Sequence, residues 1–138
     1  MGFIRSQDGG RTWKQLSEGA SGPVDFHQLD VSKADAATIY GVFRNLQVST
    51  DAGHTWSVRA PAPPDIIDLT ATAASVDGLF AATKGGLLYS SDGGRSWGPA
   101  HTNQSPATMV QAMGDGSIYA FIVGLGLIRS ADDTPSNE

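Results

Sequence analysis

Apolar residues come in short runs separated by polar turns. In 24–31, Val24 and Phe26 alternate with Asp25 and His27, and Leu29 and Val31 flank Asp30. Further short runs at 38–43, 66–71, 78–83, 108–113 and 117–123 are rich in β-branched and aromatic residues and bounded by Gly, Asp or Asn. Alternation with period two, broken by turn formers, predicts strands. Few long helices are expected. With 17 Gly and 7 Pro spread along the chain, the pattern predicts an all-β protein with many tight turns.

The runs repeat with a long period. Ser6-Gln7-Asp8-Gly9-Gly10-Arg11-Thr12-Trp13 recurs as Ser49-Thr50-Asp51-Ala52-Gly53-His54-Thr55-Trp56 and as Ser90-Ser91-Asp92-Gly93-Gly94-Arg95-Ser96-Trp97; a fourth copy begins at Ser130 and decays after Asp132. The aspartates Asp8, Asp51, Asp92 and Asp132 are spaced by 43, 41 and 40 residues. That is the period of a four-stranded propeller blade. Each copy predicts a strand ending in Ser, a turn in which Gly10, Gly53 or Gly94 takes positive φ, and a second strand starting near Trp13, Trp56 or Trp97. The aspartate accepts turn amides and the tryptophan anchors the turn on apolar neighbours. Three equivalent copies one blade apart make these residues structural, and calcium at such a turn is the alternative use of the carboxylate.

Composition narrows the function classes. The 138 residues contain 9 Lys+Arg against 14 Asp+Glu, for a net charge of −5. The basic residues are scattered singly, so no nucleic-acid partner is expected. The absence of cysteine from the sequence excludes a disulfide framework, a thiolate metal site and a cysteine nucleophile. No apolar run approaches the ~20 residues of a membrane helix, and no signal-peptide pattern is present. Neither membrane insertion nor a cofactor or resident metal is expected, and the compartment is left open.

The box Ser-x-Asp-x-Gly-x-Thr-Trp resembles the Asp-box, or bacterial neuraminidase repeat, of sialidases, sortilin-type receptors and photosystem assembly factors. The resemblance implies a β-propeller with the box between the third and fourth strands of each blade. Gly2-Phe3-Ile4-Arg5-Ser6, Val24-Asp25-Phe26-His27, Ile39-Tyr40-Gly41 and Leu79-Phe80-Ala81-Ala82-Thr83 are similar to the latter part of longer bacterial glycosyl hydrolases of this repeat class, which resemble exported proteins. Sialidase chemistry would imply an arginine cluster, a Tyr nucleophile backed by Glu, an Asp acid/base and a Phe/Tyr-Arg-Ile-Pro motif. Here the nearest string puts Arg5 on a third strand away from the axis, and Glu18 and Glu138 fall in a loop and at the end of the sequence. No catalytic residue is therefore assigned.

In this register residues 1–133 divide into a half-blade (1–17), two blades (23–60 and 65–100) and a partial blade (106–133), with 134–138 as a disordered tail. About three blades cannot close a ring, since propellers take roughly four to eight. A homodimer would give six, with the N-terminal half-blade completing the C-terminal partial one. That leaves Phe3-Ile4-Arg5 and Leu127-Ile128-Arg129 competing for one position, so one copy should be displaced or disordered. The alternative is a fragment of a longer propeller.

Propeller ligands sit at one channel mouth, on first-strand ends and nearby loops. The candidates there are Asp25 and His27 on one first strand, Asp65 and Asp68 around the next, and Arg44 and Lys84 after the second strands. They would receive a glycan or protein ligand. His27 beside Asp25 is the most chemical pair, able to fix an imidazole tautomer or to hold a metal with a symmetry mate; the plainer reading is a hydrogen-bonded core histidine beside a turn carboxylate. His54 reads as surface, His101 as a loop residue with no partner, and 60–65, which carries Pro61, Pro63 and Pro64, as a stiff linker. The resulting expectation is a non-catalytic, self-associating scaffold, with a sialidase-like glycoside hydrolase using two of Asp25, Asp65 and Asp68 as the alternative.

Overall fold

The computed structural model describes residues 2–130. Over that span the chain forms thirteen strands, β1 (Phe3–Arg5), β2 (Lys14–Ser17), β3 (Gln28–Val31), β4 (Ile39–Phe43), β5 (Asn45–Ser49), β6 (Ser57–Pro61), β7 (Ile66–Ala71), β8 (Leu79–Thr83), β9 (Gly86–Ser90), β10 (Gly98–Pro99), β11 (Ala107–Ala112), β12 (Ile118–Ile122) and β13 (Gly126–Ser130). They pair antiparallel as β1-β2, β3-β4-β5-β6, β7-β8-β9-β10 and β11-β12-β13. The fold is that of β-propeller blades: a half-blade, two full blades and a three-stranded sheet. Among the described residues no helix is long and apolar enough to cross a membrane. Residues 131–133 of the last unit and the 134–138 tail lie outside the described residues.

The repeat extends to the hydrogen-bond register. Leu46 pairs with Ala60, Gln47 with Val58 and Val48 with Ser57, with a shift between Leu46 and Gln47. Phe3 with Ser17, Ile4 with Gln15 and Arg5 with Lys14 reproduce the same offsets and the same shift. The first strand of the first full blade is shorter than its pattern predicts. β3 starts at Gln28, although the His27 N–H still donates to the Val42 carbonyl at 3.2 Å. Upstream, Val24 is buried and Phe26 packs on the Trp56 ring at 4.7 Å, so these two apolar residues are held by side-chain packing outside the ladder. The stretch 60–65 is only partly a linker, because Ala60 and Pro61 complete β6, an edge strand where proline costs no ladder hydrogen bond.

Two apolar layers hold consecutive blades together. Between the first and second full blades lie Tyr40, Val42, Leu46 and Val48 against Leu69, Ala71, Leu79 and Ala81. Between the second blade and the last sheet lie Phe80, Ala82 and Leu87 against Val110, Ala112, Ile118, Ala120 and Ile122. Each fully buried Leu or Ile side chain contributes about 1.5–3 kcal/mol relative to exposure.

A second set of contacts ties the innermost strands. Asp30 Oδ2 accepts the Ala71 N–H at 2.8 Å and the Thr70 hydroxyl at 2.9 Å, and pairs with Lys33. One junction further on, Asp68 Oδ2 accepts the Val110 N–H at 3.0 Å and Thr70 Oγ1 accepts the Ala112 N–H at 2.9 Å. These amides point out of their own sheets toward the preceding blade, and a side chain of that blade satisfies them.

Candidate binding surface at one end of the blades

The three boxes share one hydrogen-bond plan. In the first, the Thr12 N–H donates to Asp8 Oδ1 at 2.9 Å, the Thr12 hydroxyl to Oδ2 at 2.5 Å, the Ser6 hydroxyl to Oδ1 at 2.9 Å, and the Gly10 N–H to Ser6 Oγ at 2.8 Å. Asp51 receives Thr55 and Ser49, and Asp92 receives Ser96 and Ser90, in the same way. Donation from a hydroxyl, an amide and a serine favours the charged carboxylate, so Asp8 and Asp51 are lowered to about 2 and Asp92 lower still. These carboxylates are committed to turn geometry. Gly10, Gly53 and Gly94 have φ near +90, and Ala52 is held at +60 where its siblings carry Gly9 and Gly93.

The tryptophans diverge. Trp56 meets Phe3 edge-on at 5.6 Å as well as Phe26, and Trp97 packs beside the first apolar layer. Trp13, expected to anchor its turn, is 61% exposed, because no preceding blade lies under it among the described residues. Its Nε1–H folds back onto the Gly10 carbonyl at 3.0 Å.

Strand register places the boxes and the candidate residues at opposite ends. Ser49 and Ser90, which open two boxes, pair with Ile39 and Leu79 at the starts of second strands. The other end is marked by Gln28 opposite Val42 and Ile66 opposite Thr83. There, in loops flanking these pairs, lie Asp25, His27, Arg44, Asp65 and Lys84.

Asp25 and His27 precede β3 rather than standing on it. Their side chains, 54% and 70% exposed, approach to 3.5 Å through Oδ2 and Nε2. The core-histidine reading of His27 is therefore overturned: burying Val24 and Phe26 turns the alternate residues outward. Among the described residues no group of three His, Asp or Glu side chains is placed to hold a metal ion. Arg44 occupies the β4–β5 turn at φ +66, its guanidinium 5.1 Å from the Phe43 ring centre. It borders a cleft of about 260 Å³ lined by Val24, Phe43, Asn45, Gln47 and Val58 among others. Asp65 takes φ +56, and its carbonyl accepts the Lys84 N–H at 3.2 Å, which joins the second pair of candidates through the backbone.

Asp68 is placed differently. Both its oxygens accept amides, Leu69 N–H at 2.9 Å and Val110 N–H at 3.0 Å, so it joins blades. Sequence reasoning missed Asp30 and Thr70, which do the same work. Their spacing of 40 residues, one blade, is the signal that could have found them. His101, expected to stand alone, accepts the Asn103 N–H on Nδ1 at 3.0 Å.

The BNR/Asp-box repeat model matches residues 4–15 and 47–58. No curated protein matches the chain. Among solved structures, a GH74 xyloglucanase from Xanthomonas campestris superimposes with TM-score 0.64 and 21% identity, over 80% of this chain and 18% of that one. YCF48 bound to D1 peptide aligns with TM-score 0.58 and 18% identity over 82% of this chain and 40% of that one. YCF48 from Cyanidioschyzon merolae gives 0.58 and 20% over 91% of this chain and 39% of that one. The chain thus spans about a fifth to two fifths of the length of these propellers. At such identities the likeness reaches the fold alone: the chain carries BNR/Asp-box repeats in a β-propeller fold.

Proposed function

We propose that this chain is a non-catalytic Asp-box scaffold that self-associates to close a six-bladed ring and presents a glycan or protein ligand with the end carrying Asp25, His27, Arg44, Asp65 and Lys84. The observation that carries this reading is the use made of its inner-strand carboxylates. Asp30 and Asp68 point at the amides of the next blade and hold blades together, where a glycosidase would direct such groups at substrate from the two sides of a cleft. The remaining acidic candidates, Asp25 and Asp65, lie in exposed loops.

The reading is tested by light scattering behind a sizing column together with a hydrolysis assay. A single species near twice 14.4 kDa, with no reducing ends released from xyloglucan or sialylated glycans, is the expected result. A monodisperse monomer would remove the ring, and polysaccharide cleavage lost in Asp25→Asn or Asp65→Asn would replace the scaffold with a hydrolase.

A further inference from the structure

Both ends of the blade array expose positions that are buried at every junction inside it. Leu46 and Leu87, on third strands, are 0% and 6% exposed, whereas Leu127 at the same place on β13 is 64% exposed. Beside it on the same face, Phe121 is open, where its counterparts Val42 and Ala82 are buried. At the other end Leu29 and Val31 on β3 are open, whereas Leu69 and Val110, and Ala71 and Ala112, are buried in the corresponding places.

The polar contacts run out in step. The amides of Ala71, Val110 and Ala112 each receive an oxygen from the previous blade. The corresponding amides at the start of the series are those of Leu29 and Val31. At its end, Gln111 occupies the position that Asp30 and Thr70 use to reach forward.

The two end sheets are complementary strand by strand. The half-blade β1-β2 supplies a third and a fourth strand, and the last sheet supplies a first, a second and a third. β13 stands at the edge of its sheet among the described residues, as β1 does on the side away from β2. Their sequences, Phe3-Ile4-Arg5-Ser6 and Leu127-Ile128-Arg129-Ser130, agree in the last three residues. Phe3 already fills the place of Leu46 in its own junction: a Cβ on Gly53 would collide with the Phe3 ring, as one on Gly94 would collide with Leu46.

Resting on the self-association just proposed, we infer that the copies join by strand replacement: β13 of one copy displaces β1 of a second copy and takes up that copy's β2 as its fourth strand. Leu127 then packs over Gly53 and Trp56 of the second copy where Phe3 lay, Tyr119 and Phe121 cover its Leu29 and Val31, and Gln111 reaches its Val31 amide. The connection is topologically consistent, since β2 leads directly into β3, as β6 leads into β7 and β10 into β11. The occupant of the open face is therefore a second copy of this chain, selected by the same contacts that join its own blades.

Cysteine pairs test the exchange, because the chain has no cysteine of its own. Arg5 and Lys14 are cross-strand partners, so oxidised Arg5→Cys/Lys14→Cys pins β1 to β2; Arg129→Cys/Lys14→Cys bridges copies only if β13 replaces β1. The expected result is loss of the dimer in the first oxidised variant, with recovery on reduction, and a covalent dimer in the second. Hydrogen exchange on the unmodified dimer reads the same event without substitution: amides of residues 3–5 should exchange fast and those of 126–130 slowly. A dimer that persists with β1 pinned and its amides protected would overturn strand replacement and leave self-association standing. A chain that is monomeric throughout would overturn both.

Discussion

Leu46 and Leu127 hold the same register position two blades apart, each on a third strand, with its side chain toward the following blade. One is sealed between two sheets and the other stands in solvent. The boxes make the same point. The first and third have near-identical hydrogen bonds around Asp8 and Asp92, yet a Cβ on Gly94 would collide with Leu46, whereas one on Gly10 would meet only Trp13 Cζ2, at 3.8 Å. Local sequence builds the turn in both places, and only an adjacent blade turns it into part of a core.

The largest effect should separate the two leucines. Leu46→Ala leaves a cavity at a fully buried site and should cost about 3–5 kcal/mol; Leu127→Ala should stay within about 0.5 kcal/mol, as exposed substitutions do. Urea unfolding at protein concentrations low enough to suppress association measures both, and equal losses would erase the distinction between junction and open face.

Glycine substitutions sharpen it at the boxes. Gly10→Ala carries only the cost of a left-handed residue, about 1–2 kcal/mol. Gly94→Ala adds a collision with Leu46 and should cost about 2–4 kcal/mol in all. Comparable melting temperatures for the two variants would mean that the third box does not press on the preceding blade.

Acid should affect the boxes alike, because their carboxylate contacts are the same, and the effect per site is the smallest of the three. Unfolded Asp titrates near ~3.9, whereas Asp8 and Asp51 are lowered to about 2 in the fold. A lowered folded value gives stability that is complete above the unfolded one and is lost as pH falls through the folded one. Melting temperatures should therefore be level above about pH 4 and fall toward pH 2. Asp8→Asn and Asp51→Asn should each flatten part of that fall; a profile unchanged by either would show that charge at the turn carries no stability.

The blade plan was legible because it rests on short-range chemistry repeated three times. Ser6, Asp8, Gly10 and Thr12 are within a few residues of one another, so their spacing alone specifies the turn. The strand runs between boxes at 38–43, 66–71, 78–83, 108–113 and 117–123 became β4, β7, β8, β11 and β12. Alternation failed in 24–31, where Val24 and Phe26 satisfy the same pattern by packing on Gly19, Gly41 and Trp56, and the ladder starts only at Gln28. At the candidate site the sequence brought Asp65 and Lys84 to the same end of one sheet and placed Asp25 beside His27. It gave no sign that Asp68 would turn to the next blade, since that choice depends on an amide 42 residues away.

By itself the sequence determined the repeat, its period, the box turns and the four-stranded unit, all consequences of residue types acting over a few bonds. The tertiary structure decided which copies of those equivalent residues are buried. Leu46 and Leu127, Trp56 and Trp13, Gly94 and Gly10 have the same local chemistry, and they differ because burial belongs to the space between two blades.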